Sequence, residues 1–202
     1  MARTIYITDA AAPLGRACAV RLGRAGWNIV MGASSVASLK SVCDELPDNA
    51  TLPRRAVPTD LGNILPLLEE GEARFGSIDA VLLNYRPRGG SKRRAVDGQV
   101  HAVAVVGEAA RPFLRQSEGH FVVAGRRGGP RSLSGAMQTV ARNAVRTLSD
   151  ALAQDWADEP IQISLVEPDG LDGPKPMARR VARILNGAPP RRPVVGQRRA
   201  YA

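Results

Sequence analysis

The groups that could do chemistry in this chain are few. His101 and His120 are its two histidines, the side chains whose ordinary pKa lies nearest neutral. His101 falls in a helical stretch and could serve as an acid or base, whereas His120 begins an apolar run, where a structural role is expected. Between the apolar run Ile5-Tyr6-Ile7 and a helical pattern lies Thr8-Asp9-Ala10-Ala11-Ala12-Pro13-Leu14-Gly15. A strand-to-helix turn binds phosphate when glycines let backbone amides approach it at the helix N-terminus. Gly15 is the only glycine in this turn. Asp9 would set a carboxylate against a phosphate, and Pro13 removes an amide donor. The same residues make sense without a ligand, since Pro13 suits a first helical position and Asp9 can face the positive helix end. Basic side chains form a third group: Arg86, Arg88, Lys92, Arg93 and Arg94, then Arg126, Arg127 and Arg131, then Arg142. Guanidinium forks match phosphate and carboxylate oxygens, so Arg86, Arg88, Arg126, Arg127 and Arg142 are candidate anion ligands.

Strand-like runs at 5–8, 27–31, 55–58, 78–83, 121–124 and 161–166 alternate with helical patterns at 14–25, 36–46, 61–75, 96–114 and 133–157. Such alternation predicts a parallel sheet with helices on both faces, a single-domain doubly wound α/β fold, Rossmann-like, of six to seven strands. Loops after the strands of such a sheet gather at one edge. The glycine-poor turn and the basic clusters therefore share that rim. Beyond Pro168 the chain turns rich in Pro, Gly and Arg, and 168–202 reads as a shortened C-terminal segment carrying a short basic helix over 177–185.

Across nearly the whole chain these landmarks resemble the short-chain dehydrogenase/reductase family. Thr8 to Gly15 lies where the family writes Thr-Gly-x-x-x-Gly-x-Gly, and Thr59-Asp60-Leu61 matches its Asp-Leu/Val after the third strand. Phe75 to Asn84 is similar to the stretch leading into Asn-Asn-Ala-Gly; Gly119 to Ala124 matches the strand that delivers a serine; Leu165-Val166-Glu167-Pro168 matches the later strand ending in Pro-Gly. The resemblance implies a nicotinamide cofactor, NAD or NADP, held through Thr8, Gly15, Asp60 and Asn84. Asp60 also has the ordinary reading of a helix cap. It further implies a tyrosine acid, a lysine four residues on that lowers its pKa, a serine that polarises the carbonyl, and an asparagine that holds a relay water. Carried onto this chain, the tyrosine position is Gln138 and the lysine position Arg142. The serine falls on Gly125 or Arg126, and the asparagine on His101. None of the four family residues is kept. Gln138 has no proton to give near neutral pH and Arg142 stays charged. Gly32-Ala33-Ser34-Ser35 after the second strand offers neither a carboxylate for a ribose nor an arginine for a 2′-phosphate, and Tyr85-Arg86-Pro87 replaces small residues. No working cofactor site is expected, NAD(P) being the one to consider.

Bulk composition narrows the rest. With 202 residues, 44% of them hydrophobic, the chain can bury one sizeable core and is short for two domains. No apolar run approaches the roughly 20 residues of a membrane span. The first residues lead directly into a strand with no leader pattern, so a cytoplasmic protein without a membrane partner is expected. Cys18 and Cys43 lack metal or redox spacing and read as buried, reduced thiols. A formal charge of +9 would draw nucleic acid, anionic lipid or acidic partners. Only Lys40, Lys92 and Lys175 among the 28 basic residues are lysine, a skew that genome composition alone could produce. Three function classes follow: a catalytically retired relative acting through binding, pairing with itself or an active relative through the helices 96–114 and 133–157; an NAD(P)-dependent oxidoreductase with atypical groups; and an anion- or nucleic-acid-binding module using the basic edge. No aromatic residues interleave the basic clusters, which counts against base stacking.

Overall fold

The computed structural model describes residues 2–85, 92–125, 133–168 and 173–187, with the backbone alone for 92–96 and 133–135. Strands β1 (Thr4–Ile7), β2 (Asn28–Ala33), β3 (Thr51–Arg55), β4 (Ala80–Leu83), β5 (His120–Ala124) and β6 (Gln162–Val166) alternate with helices α1 (Pro13–Gly23), α2 (Lys40–Cys43), α3 (Leu61–Phe75), α4 (Lys92–Ser117), α5 (Leu133–Asp155) and α6 (Pro174–Leu185). The strands form one parallel sheet in the order β3-β2-β1-β4-β5-β6. The expected doubly wound fold is thereby realised.

Because both faces of the sheet are covered, its central strands are largely apolar rather than alternating, while the edge strand β3 ends in exposed Arg54 and Arg55. Tyr6, Val30, Val81, Phe121 and Ile163 point to the face packed by α3, α4 and α5, where Phe121 meets Trp156 at 6.0 Å between ring centres. Ile5, Ile7, Met31, Leu82 and Val122 point to the other face, under α1, α2 and α6. Gly15 lets the first turn of α1 lie against the turn that follows β1, since a Cβ there would sit 2.6 Å from the Asp9 carbonyl oxygen.

Several boundaries depart from the sequence reading. The third strand spans 51–55 rather than 55–58, and Pro53 lies inside it. As the edge strand, β3 can carry a proline whose missing N–H would otherwise break a ladder. The expected helix 36–46 breaks into a 3-10 turn over Val36–Leu39 and a single turn of α2, because the Ser38 hydroxyl donates to the Ser35 carbonyl at 2.6 Å and competes with regular helix. The last helix starts at Pro174 instead of 177, with proline accommodated in its first turn where no amide partner is needed. Residues 169–172 and 188–202 of the C-terminal segment lie outside the described residues.

Candidate active site

The strand order reverses between β1 and β4, so the loops leaving them diverge and open a crevice at the carboxyl edge of the sheet. Four strand ends converge there: the turn after β1, Asn84-Tyr85 after β4, Gly125 after β5 and Glu167 after β6. The turn after β1 is closed on itself. The Asp9 carbonyl accepts from the Ala12 amide at 2.9 Å and from the Asn84 side chain at 3.3 Å. The Thr8 hydroxyl accepts from the Asn84 amide at 2.8 Å. Thr8 and Asn84, candidates for cofactor contact, are thus clips joining the β1 and β4 loops. Asp9 is buried and holds φ at 44°, a left-handed conformation that glycine adopts freely and aspartate does not. Pro13 occupies the first turn of α1, and the preceding Ala12 makes no side-chain cap. Asp60 is the N-cap of α3, accepting from the Gly62 amide at 3.1 Å and from the Asn63 side chain.

His101 is exposed on α4, while Gln99, two residues earlier, lines the crevice with Leu83, Tyr85, Gly125 and Arg142. A residue two positions away on a helix points about 200° round from its neighbour. Gln99 is four residues before the buried Val103 and so shares its inward face. That spacing was the available signal. Gln138 is exposed near the start of α5, one turn before the half-buried Arg142. Arg126, with Arg86, Arg88, Arg127 and Arg131, lies outside the described residues, as do the side chains of Lys92, Arg93 and Arg94.

Glu167 is the residue that sequence reading passed over. Its carboxylate accepts from Arg146 at 2.7 Å, and Arg142 Nε lies 3.9 Å from its other oxygen. Arg142 and Arg146 are one turn apart on α5, and the spacing places both guanidiniums over the end of β6. The Arg180 guanidinium donates to the Glu167 carbonyl at 2.5 Å. A Cβ on Gly125 would stand only 2.8 Å from Glu167 Cγ, so the glutamate stem fills the room that a serine at 125 would need. Arg142, a candidate anion ligand, faces this internal carboxylate.

Among the described residues, Leu83, Tyr85, Gln99, Gly125 and Arg142 line a cavity of about 20 Å3, room for about one water. Tyr85 is the tyrosine beside it. Its phenol reaches toward α4, 3.1 Å from where a Cβ on Gly98 would be. Burial, followed by the negative charge of Asp9, pushes the Tyr85 phenol above its usual range, the opposite of what a proton donor near neutral pH requires. His120 sits at the far end of its strand, buried, with Nε2 2.8 Å from the Ser164 hydroxyl. Burial lowers its pKa to about 4, which keeps the ring neutral and structural. Among the described residues no group of three or more His, Cys, Asp or Glu could hold a metal ion, and no helix is long and apolar enough to cross a membrane.

No protein-family model matches the chain. It is 31% identical over 185 residues to oxidoreductase BOA17 of Botryotinia fuckeliana, covering 85% of this chain and 66% of that protein. An uncharacterized oxidoreductase of Listeria monocytogenes is 26% identical over 183 residues, covering 81% of this chain and 71% of its own length. The chain thus spans about two thirds of the length of these curated relatives. Among solved structures, a short-chain dehydrogenase from Streptomyces avermitilis superposes with a TM-score of 0.71 at 25% identity, over 85% of this chain and 66% of that one. A metagenomic short-chain oxidoreductase in complex with NADP superposes with a TM-score of 0.80 over 92% of this chain and 91% of that one; its 19% identity speaks for the fold alone. With the strand order, the retained landmarks at Gly15, Asp60, Asn84 and Pro168, and these likenesses in agreement, the chain belongs to the short-chain dehydrogenase/reductase family.

Proposed function

We propose that this chain is a non-catalytic member of the family that works through binding, its reaction centre closed by its own side chains. The observation that carries the reading is Glu167, whose stem occupies the space beside Gly125 while its carboxylate faces Arg142 and Arg146. Arg142, at the lysine position, faces Glu167 beside Gly125, and Gln138 stands at the tyrosine position. The residues present do not fit a dinucleotide either. Buried Asp9 brings negative charge to the mouth of α1, Pro13 withholds an amide there, and Tyr85 narrows the crevice after β4. Pairing with a second copy or with an active relative through α4 and α5 belongs to the same reading.

The names of the two curated relatives favour the alternative, an NAD(P)-dependent oxidoreductase with atypical groups. Calorimetric titration with NADH and NADPH decides between the two. The closed-centre reading expects no binding up to millimolar concentration. Affinity near micromolar, about −8 kcal/mol, would overturn it and make the oxidoreductase reading the better one.

A further inference from the structure

On the face of the sheet opposite α3, α4 and α5, helices α1 and α6 lie side by side, and the groove between them encloses about 1280 Å3. Its lining has two chemistries. Half-buried Val20 and buried Ala178 and Ala182 line it with small apolar side chains, while exposed Arg21, Lys175 and Arg179 supply positive charge from both helices. Glu45 is the one acid among the described lining residues, and it is already held by Arg16 at 2.6 Å and Arg24 at 3.2 Å. Arg21, Lys175 and Arg179 have no ion-pair or hydrogen-bond partner among the described residues. A partly apolar trough whose Arg21, Lys175 and Arg179 have no acidic partner among the described residues is complementary to a helix apolar on one side and acidic on its flanks.

We propose that the groove between α1 and α6 is a docking site for an acidic, amphipathic helical segment of a partner protein, its apolar side covering Val20, Ala178 and Ala182 and its carboxylates meeting Arg21, Lys175 and Arg179. Nucleic acid fits less well, because no aromatic residue lines the groove for a base to stack on and phosphates would leave the apolar lining bare. The chain's own residues 188–202 carry four arginines and no acid, the wrong sign for this groove. The proposal stands apart from the closed reaction centre, since cofactor titration and groove binding are read independently.

The test is fluorescence anisotropy with the full chain and a dye-labelled peptide of about five helical turns, with leucines at i, i+3, i+4 and i+7 and glutamates flanking them. Micromolar binding is expected at low salt. The double reversal Arg21→Glu/Arg179→Glu should weaken it at least tenfold, whereas Arg55→Glu/Arg115→Glu, an equal charge change at exposed sites outside the groove, should leave it within twofold. Circular dichroism confirms that both variants are folded. A composition-matched peptide with its leucines scattered, and a single-stranded DNA of similar charge, should each bind at least tenfold more weakly. Absence of peptide binding, equal weakening by the two variants, or a scattered peptide or DNA that binds as tightly would each overturn the proposal.

Discussion

At residue scale, three positions around the end of β6 meet in the packing. Gly125 has no side chain, Glu167 uses the vacated space, and Arg146 pins the glutamate. Introducing serine at 125 brings a Cβ within 2.8 Å of Glu167 Cγ, closer than carbon atoms approach, so the glutamate or the strand end must move. Overpacking of this sort costs about 1–3 kcal/mol. Gly125→Ser is expected to lower the urea midpoint accordingly, and Glu167→Ala in the same chain should relieve most of the loss. A double-mutant cycle with coupling below about 0.5 kcal/mol would show that the two positions are independent. His120 makes a second prediction. Its folded pKa of about 4 lies below the ordinary 6.5, so the unfolded chain binds the proton more readily. Stability is then full above about pH 6.5 and is lost as pH falls toward 4. Between pH 6.5 and 5 the loss is on the order of 2 kcal/mol. His120→Asn, which keeps a polar partner for Ser164, should flatten urea midpoints over that window relative to the parent protein. Parallel curves for the two would count against it.

At element scale, local pattern decided what could be read from sequence. Long helices such as α3 announce themselves by apolar spacing, by Asp60 as N-cap and by Gly76 at φ 90° as C-cap. The short elements were harder. β3 was displaced because Pro53 reads as a strand breaker until β3 is known to be an edge, and edge position is a property of the assembled sheet. The sequence reads 36–46 as one helix, and Leu39, Val42 and Leu46 are indeed buried, yet Ser38 bends the chain locally. This fragmentation has a chemical consequence. Cys43 lies at the end of single-turn α2 and is half-buried, whereas Cys18 is enclosed under α1 with its thiol pushed up to about 12 by burial, partly offset by Arg21. A thiol reagent should therefore label one cysteine of the native protein, Cys43, and reach Cys18 only in denaturant. Cys43→Ser should abolish the native reaction; labelling of Cys18 at a comparable rate would mean that α1 opens far more readily than its packing implies.

At the scale of the whole molecule, the fold and the site differ in how they are encoded. Alternation of apolar strands with amphipathic helices is written locally, so the order of elements along the chain and the doubly wound class are legible in the sequence. The site is assembled from four strand ends and two helices. Gln99 could be found from its helical spacing to Val103, but the Glu167–Arg146 pair and its bearing on Gly125 join residues on three different elements and became visible only in three dimensions. The same distribution limits what repair can do. Gln138→Tyr with Arg142→Lys would restore the two residues on α5, yet Asp9 would remain buried at the mouth of α1, Pro13 would still withhold its amide, and Glu167 would still press on Gly125. The double variant is therefore expected to fold, to show no NADH binding up to millimolar by calorimetry, and to reduce no carbonyl substrate above background. Measurable turnover would mean that the loop after β1 accommodates a pyrophosphate despite its charge and its proline, and that closure of the centre resides in α5 alone.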